Sequence, residues 1–571
     1  MDFALYDYII VGGGLSGCVL ANRLREYNNT SKIVLLEAGK DTRDRSDVRH
    51  PQVLNLGGDL DWSYETEPVP NAANRTFTLN SGQGLGGGTA VNSSGWTRGS
   101  AIDFDEWAAL VKDERYSYAG QLPWFKKCER WLDEKNPEQH GLDGRITIGS
   151  AGSNKRVFPL TEKIAEAWDA LGAPALPDLD QNAGDNLGRA YICESRLDGQ
   201  RQWSPVVYPL DGVEVRLEAL VQRVVMENSS GSPRATGVEL TDGSILSGKE
   251  VILCAGALRS PQLLQLSGIG SPTDLKEVGI DAVVDLPDVG KGLTDHTNFW
   301  QHWRLRDPSA GYTLGSANPL FSEPQYSKGT PMEWVVTHSL PKEGLATAIE
   351  KDEGVKPNPS KHPLLSSART FSETLILHAK VPLPGIPMDA EHMTTAVINF
   401  LPTSRGTVSL KSANIEDHPT SKCPLWPYFS DIAVQKLIGR HIVNMNYLST
   451  EVDKYQMREG IRRITSFMLG PVFSQYVAGE TVPDALAVEP VTLNDSDEKL
   501  NKRVALAAST TWHYSGTCSM GKVVDTGFRV YGVGGLRVVD ASVIPVPLSA
   551  HIQAPLYGLT EQAAAIIAGK A

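Results

Sequence analysis

Three glycines spaced as G-x-G-x-x-G, Gly12, Gly14 and Gly17, sit between the apolar run Tyr8-Ile-Ile-Val11 and an amphipathic stretch from Leu15 to Leu24. A second apolar run, Ile33-Val-Leu-Leu36, ends in Glu37. Strand, glycine turn, helix, strand and acid are together the parts needed to hold a dinucleotide. Gly12 permits the tight turn, Gly14 lets backbone approach a pyrophosphate, and Gly17 lets the helix pack closely on the first strand. Glu37 then accepts a ribose hydroxyl. A glycine-rich turn in an ordinary βαβ unit is the competing reading, and the fingerprint alone leaves FAD and NAD(P) open.

A second cluster, Gly82-Gln-Gly84-Leu-Gly86-Gly87-Gly88-Thr89-Ala-Val-Asn92, places five glycines within seven positions. Flexible linkers favour serine and lack residues such as Leu85, Val91 and Trp96, so this segment is expected to be a loop that cradles a cofactor. The six cysteines (Cys18, Cys128, Cys193, Cys254, Cys423, Cys518) are scattered, with no CxxC pair and no Cys/His spacing suited to zinc. They are expected to be free buried thiols, and no metal site is expected.

These motifs must be held by a larger frame. A helix is expected to start at Ile102, with helix-like apolar spacing continuing over residues 109 to 135. Strand signals return at Val213 to Leu217, Val221 to Met226 and Glu250 to Gly256, and these would join the nucleotide-binding sheet and make that domain discontinuous in sequence. Between about 300 and 500, strands (Thr394 to Leu401, Gly406 to Leu410) alternate with Pro-rich loops and long helical runs (Ser430 to Leu448, Glu459 to Leu469). A second domain of strands backed by helices fits that mixture.

A chain of 571 residues exceeds what one core usually supports, so two domains or one large composite are expected. The net charge of −13, with no basic cluster, argues against nucleic acid and anionic membrane as partners, since both reward a positive face. No apolar stretch approaches the roughly 20 residues that span a bilayer. The run Tyr8 to Val11 is too short for a signal-peptide core, so a cytoplasmic protein is expected and the sequons at Asn28, Asn29, Asn74, Asn92, Asn228 and Asn494 read as chance matches.

At Gly256-Ala-Leu-Arg-Ser260-Pro261-Gln-Leu-Leu264-Gln-Leu-Ser267-Gly-Ile-Gly270 the chain carries a long and specific motif. Together with the Gly82 to Gly99 segment, it resembles the glucose-methanol-choline (GMC) oxidoreductases, a family of FAD-dependent enzymes. The resemblance runs from the fingerprint to the last helix and is loosest over 300 to 500. It implies FAD as the cofactor and an α/β fold: a discontinuous Rossmann-like FAD-binding domain (1–145, 213–300 and 506–571) with a substrate domain of an antiparallel sheet backed by helices (146–212 and 301–505). It further implies that Gly12, Gly14 and Gly17 face the pyrophosphate, with Glu37 at the adenosine ribose. Gly86, Gly87, Thr89 and Asn92 would lie along the flavin, Val221 would offer its backbone to adenine, and Asp540-Ala541 would return to the pyrophosphate.

The family's catalytic pair falls on His513, in Trp512-His-Tyr-Ser-Gly516, and on His551, in Ala550-His-Ile-Gln553. Oxidation of an alcohol by flavin is easier if a base with a pKa near operating pH takes the hydroxyl proton, and imidazole is such a base. His513 is expected to be the base and His551 to hold the substrate oxygen. The segment from Gln553 to Ala568 has helical spacing, so its N-terminus, with Gln553 among the cofactor-binding positions, would compensate the negative charge of reduced flavin. Gln83, Asp288, Gly292 and Ile552 depart from the family pattern. Tyr514 and Ile552 beside the histidines point away from the family's best-known sugars and from choline.

The expected activity is oxidation of an alcohol in a small or medium organic molecule, with a place in specialised metabolism and the small-molecule substrate as the only partner implied; no oligomeric state is indicated. Two readings remain open at this level. A non-redox lyase or cyclase would keep the scaffold and use the same histidines for acid-base work, and a flavin-binding protein without turnover would use neither.

Overall fold

The computed structural model of the chain describes residues 5–50, 56–133, 135–229, 232–381, 386, 388–415 and 441–570. One sheet among these residues has the strand order Glu214–Arg216, Ile33–Leu36, Tyr6–Val11, Ile245–Leu253, Ser232–Leu240, Val221–Ser229, with Leu536–Val538 also pairing Ile245–Leu253. The strands up to Ile245–Leu253, and Leu536–Val538, are parallel, which accounts for the unbroken apolar runs Ile9–Val11 and Ile33–Leu36 at the centre: parallel strands are covered on both faces. Register aligns Val11 with Leu36 and Leu253, and Leu253 with Val538. Four strands thus end on one line, and ligands of open α/β sheets bind off that carboxyl edge.

The helix Leu15–Tyr27 follows the first strand at once, and the last helix, Gln553–Ile567, packs beside it. Arg23 and the buried Glu561 join the two at 2.7 Å. The helix expected near Ile102 runs Ala101–Val111 and stops where Lys112 turns left-handed (φ 56°). The apolar spacing beyond it resumes only in Tyr118–Cys128, and Glu129–Trp131 is a strand.

The second sheet has the order Val477–Thr481, Thr297–Leu305, His392–Asn399, Ser372–Leu377, Trp334–His338, Arg189–Tyr191, every pair antiparallel. Helix Glu451–Leu469 lies against it through Met457, Ile461 and Ile464, which share a core with Met393 and Val397. Two of the expected joins fall inside elements. Position 300 falls inside the strand Thr297–Leu305, and position 505 inside the helix Asp497–Ala507. Neither element can be divided without cutting its own hydrogen-bond ladder, and we propose joins before Thr297 and after Ala507.

The helical run expected over Ser430 to Leu448 lies outside the described residues as far as 440. Beyond that it is corrected: His441–Asn444 is a strand paired antiparallel with Gly406–Leu410, because the cross-strand ladder overrides local spacing there. No described helix is long and apolar enough to cross a membrane.

Candidate active site

The carboxyl edge of the first sheet collects the cofactor-binding positions expected at Gly12 to Gly17, Glu37 and Asp540. Glu37 accepts from the N–H of Gly13 and of Gly39, both at 2.8 Å. Burial pushes its carboxyl up, against the downward pull of those two N–H groups. The Glu37 carbonyl takes the Ala219 N–H at 2.9 Å, which brings the segment leading to Val221 alongside the acid. Asp540 accepts from Gly256 N–H at 2.9 Å, Ser260 Oγ at 2.5 Å and Ser542 N–H at 2.9 Å, so its carboxylate ties the Gly256 turn to the last strand of the sheet. Ala541 follows, buried.

The two glycine loops touch backbone to backbone. A Cβ on Gly17 would lie 1.9 Å from the Gly12 carbonyl oxygen. One on Gly87, already at φ +50°, would lie 2.8 Å from Gly14 Cα. Gly86 N–H donates to the Gly13 carbonyl at 2.7 Å. Thr89 Oγ1 donates to the Gly86 carbonyl at 2.6 Å, and Asn92 Nδ2 to Gln553 Oε1 at 2.7 Å, which joins the second loop to the start of the last helix. Sequence reasoning missed Arg201: buried, it donates to Asn92 Oδ1 at 2.7 Å and to the Thr89 carbonyl at 3.3 Å. Burial, with Arg196 nearby, lowers its pKa to about 9, so it stays charged at neutral pH.

These residues fit FAD. The cradle is backbone where the pyrophosphate must approach. The helices Leu15–Tyr27 and Gln553–Ile567 carry no acid in their first turns and no side-chain cap, so their N–H groups are suited to anionic partners. Among the described residues no group of three or more His, Cys, Asp or Glu is arranged to hold a metal ion. The five described cysteines are buried and free, and Cys423 lies outside the described residues.

His513 and His551 meet, with ring centroids 5.1 Å apart, although they come from different elements. His551 precedes the last helix, and its N–H donates to Thr97 Oγ1 at 2.7 Å. His513 lies on the loop after Ser509–Thr510, which pairs with the start of the strand Thr297–Leu305. Its N–H donates to Asp295 Oδ1 at 2.7 Å. Asp295 Oδ2 takes the hydroxyls of Tyr447 and Thr510, each at 2.5 Å. Burial raises the Asp295 pKa to about 6 despite those three donors.

Three further residues complete the site. Glu373, buried on the strand Ser372–Leu377, approaches His551 Nε2 at 2.8 Å. His296 approaches His513, Nδ1 to Nδ1, at 3.0 Å. Phe400 stands edge-on to both His296 and His551, at centroid distances of 5.1 and 6.1 Å. The environments separate the rings electrically. Burial, reinforced by His296 and His551, drives the His513 pKa well below its ordinary value. Burial works the same way on His551, but the Glu373 carboxylate outweighs it and holds that imidazole above its ordinary value. A neutral ring thus faces a ring disposed to carry charge, an arrangement suited to proton transfer at an oxygen between them. Tyr514 is buried in the core under the second sheet, and Ile552 packs against the core of the first domain.

Comparison with known proteins agrees with this geometry. Family models described as GMC oxidoreductase match residues 6–298 and 402–560. The GMC-type oxidoreductase acuG of Aspergillus aculeatus is 35% identical over 567 residues, covering 98% of each chain. An oxygen-dependent choline dehydrogenase of Escherichia coli is 31% identical, covering 99% of this chain and 95% of its own. A formate oxidase variant of Aspergillus oryzae superposes with a TM-score of 0.82 at 25% identity, over 100% of this chain and 99% of that one. Two glycine loops fitted to a dinucleotide, a discontinuous α/β frame and matches across both halves lead to one conclusion: the chain belongs to the GMC oxidoreductases, enzymes that bind FAD.

Proposed function

We propose that this enzyme oxidises an uncharged alcohol, with His513 taking the hydroxyl proton and His551 holding the oxygen. The observation that carries this reading is the pairing of two rings 5.1 Å apart whose surroundings bias them oppositely, with Glu373 on His551 and only burial and other imidazoles on His513. His513, neutral, offers a lone pair to the O–H. His551, biased toward imidazolium by Glu373, donates to the oxygen and stabilises the charge that develops as the proton leaves. FAD, when bound, supplies the two-electron acceptor for the carbinol hydride. Gly12, Gly14, Gly17, Glu37, Val221, Asp540 and Ala541 would hold its adenosine and pyrophosphate, and Gly86, Gly87, Thr89, Asn92 and Gln553 its ring end.

Of the carboxylates that contact the histidines, Asp295 is committed to three donors, and Glu373 spends one oxygen on His551 and is fully buried, so neither presents an exposed carboxylate to a cationic substrate. The Phe400 ring adds an apolar wall. These features favour an alcohol whose neighbouring group is aromatic or aliphatic over one bearing a quaternary ammonium. Anaerobic rapid mixing of the holoenzyme with benzyl alcohol, 1-hexanol and choline tests this. Loss of flavin absorbance is expected with the first two and much more slowly with choline; product formed without any absorbance loss would sink the redox reading.

A further inference from the structure

The reading above gives His296 no role, yet it is the partner of the base. His296 is 2% exposed and meets His513, which is itself half-buried. Two ring nitrogens 3.0 Å apart need one proton between them, and its placement decides what the other end of His513 can do.

We propose that His296 is a positioning residue that fixes the tautomer of His513: His513 donates its Nδ1–H to the bare Nδ1 of His296, leaving the His513 Nε2 lone pair for the substrate hydroxyl. Three observations support this. Burial, with His551 nearby, lowers the His296 pKa to about 3, so the ring carries one proton at any working pH. The backbone carbonyl of Phe400 acts on that ring as an acceptor, pulling its pKa up against burial, and since Nδ1 faces His513, Nε2 is the nitrogen left to turn toward it. The backbone holds the pair in register: the His296 carbonyl accepts Thr511 N–H at 3.0 Å and Thr511 Oγ1 at 2.6 Å, while neighbouring Asp295 takes the His513 N–H at 2.7 Å. The opposite placement would strand the Phe400 carbonyl and turn an N–H toward the substrate, leaving no base. Proton balance is simple: the hydroxyl proton passes to His513 Nε2, and the resulting imidazolium keeps its Nδ1–H bond to His296.

The inference rests on His513 being the base, and its test separates the two ideas. Holoenzyme carrying 15N-labelled histidine, with His513→Asn as the assignment control among the 12 histidines, is read by long-range 1H–15N correlation. The proton of His513 is expected on Nδ1; finding it on Nε2 overturns the proposal whatever the activity. In anaerobic flavin reduction with benzyl alcohol or 1-hexanol, whichever reacts faster with wild type, His296→Leu and His296→Gln are expected to lower the limiting rate by about 10²-fold, with half-saturation little changed. His296→Asn, which places Oδ1 where Nδ1 stood, is expected to recover to within about tenfold of wild type, whereas the Gln amide replaces only the Nε2 end. Equal rates for Asn and Gln would overturn the proposal. An Nδ1 proton on His513 in an enzyme that no alcohol reduces would instead retain this inference and discard the proposed function.

Discussion

Replacing Glu373 by glutamine removes one charge from the site without removing a hydrogen-bond acceptor. The carboxylate lies 2.8 Å from His551 Nε2 and is fully buried. At an effective dielectric of about 20, a charge pair at that distance attracts with about 6 kcal/mol before burial is counted against it. A neutral amide retains only an ordinary hydrogen bond, roughly 0.5–1.5 kcal/mol against about 1.5–3 for a charged one. A loss of about 1–2 kcal/mol in transition-state stabilisation is a fall of roughly 5- to 30-fold in kcat. The pH profile gives the sharper test. His513 must be neutral, so the acid limb lies well below pH 6.5; His551 must be protonated, so activity is present below its raised pKa and lost as pH rises through it. In Glu373→Gln the alkaline limb is expected to move to lower pH while the acid limb changes little. Steady-state kcat between pH 5 and 9 checks this, and an alkaline limb that stays in place refutes the assignment of charge to His551.

Asp295→Asn probes the carboxyl beneath His513. The folded chain holds a proton on Asp295 up to about pH 6, above the ordinary 3.8, so this group's contribution to stability is present at low pH and lost as pH rises through about 6. The melting-temperature gap between wild type and Asp295→Asn is expected to be wider at pH 5 than at pH 7, and scanning calorimetry that shows the reverse contradicts it. Gly17→Ala places a Cβ 1.9 Å from the Gly12 carbonyl and forces the two backbones apart, so purified protein is expected to carry little FAD, read from its flavin-to-protein absorbance ratio.

The glycine fingerprint, Glu37 and the flanking strands were legible because each is local: a turn, a period and an acid within a few dozen residues. His513 and His551 could be named only by family resemblance, since a lone histidine carries no periodic signal. Glu373 lies 178 residues from His551 and His296 lies 217 from His513, so only the tertiary fold brings them together. The one available sign was a polar Asp295-His296 pair just ahead of the β-run Thr297–Leu305. Arg201 was silent for a similar reason, its burial being set by Asn92 and Thr89 in a separate loop. The strand at His441–Asn444 shows the complementary failure, where partners distant in sequence decide what local spacing cannot.

The cofactor site is stitched from both ends of the chain, and this imposes an order on its biosynthesis. At roughly 5–20 residues per second, the strand Tyr6–Val11 waits on the order of half a minute to nearly two minutes for Leu536–Val538. Once Ile245–Leu253 has emerged, its end stays an open sheet edge until Leu536–Val538 follows, and Arg23 lacks the Glu561 carboxylate it meets in the finished fold. With Gln553 at the flavin end, as proposed above, FAD capture in its final geometry would be a late event, completed only when the last helix docks. A nascent chain stalled or clipped before His551 would hold most of a dinucleotide fold with neither that histidine nor the helix that follows it.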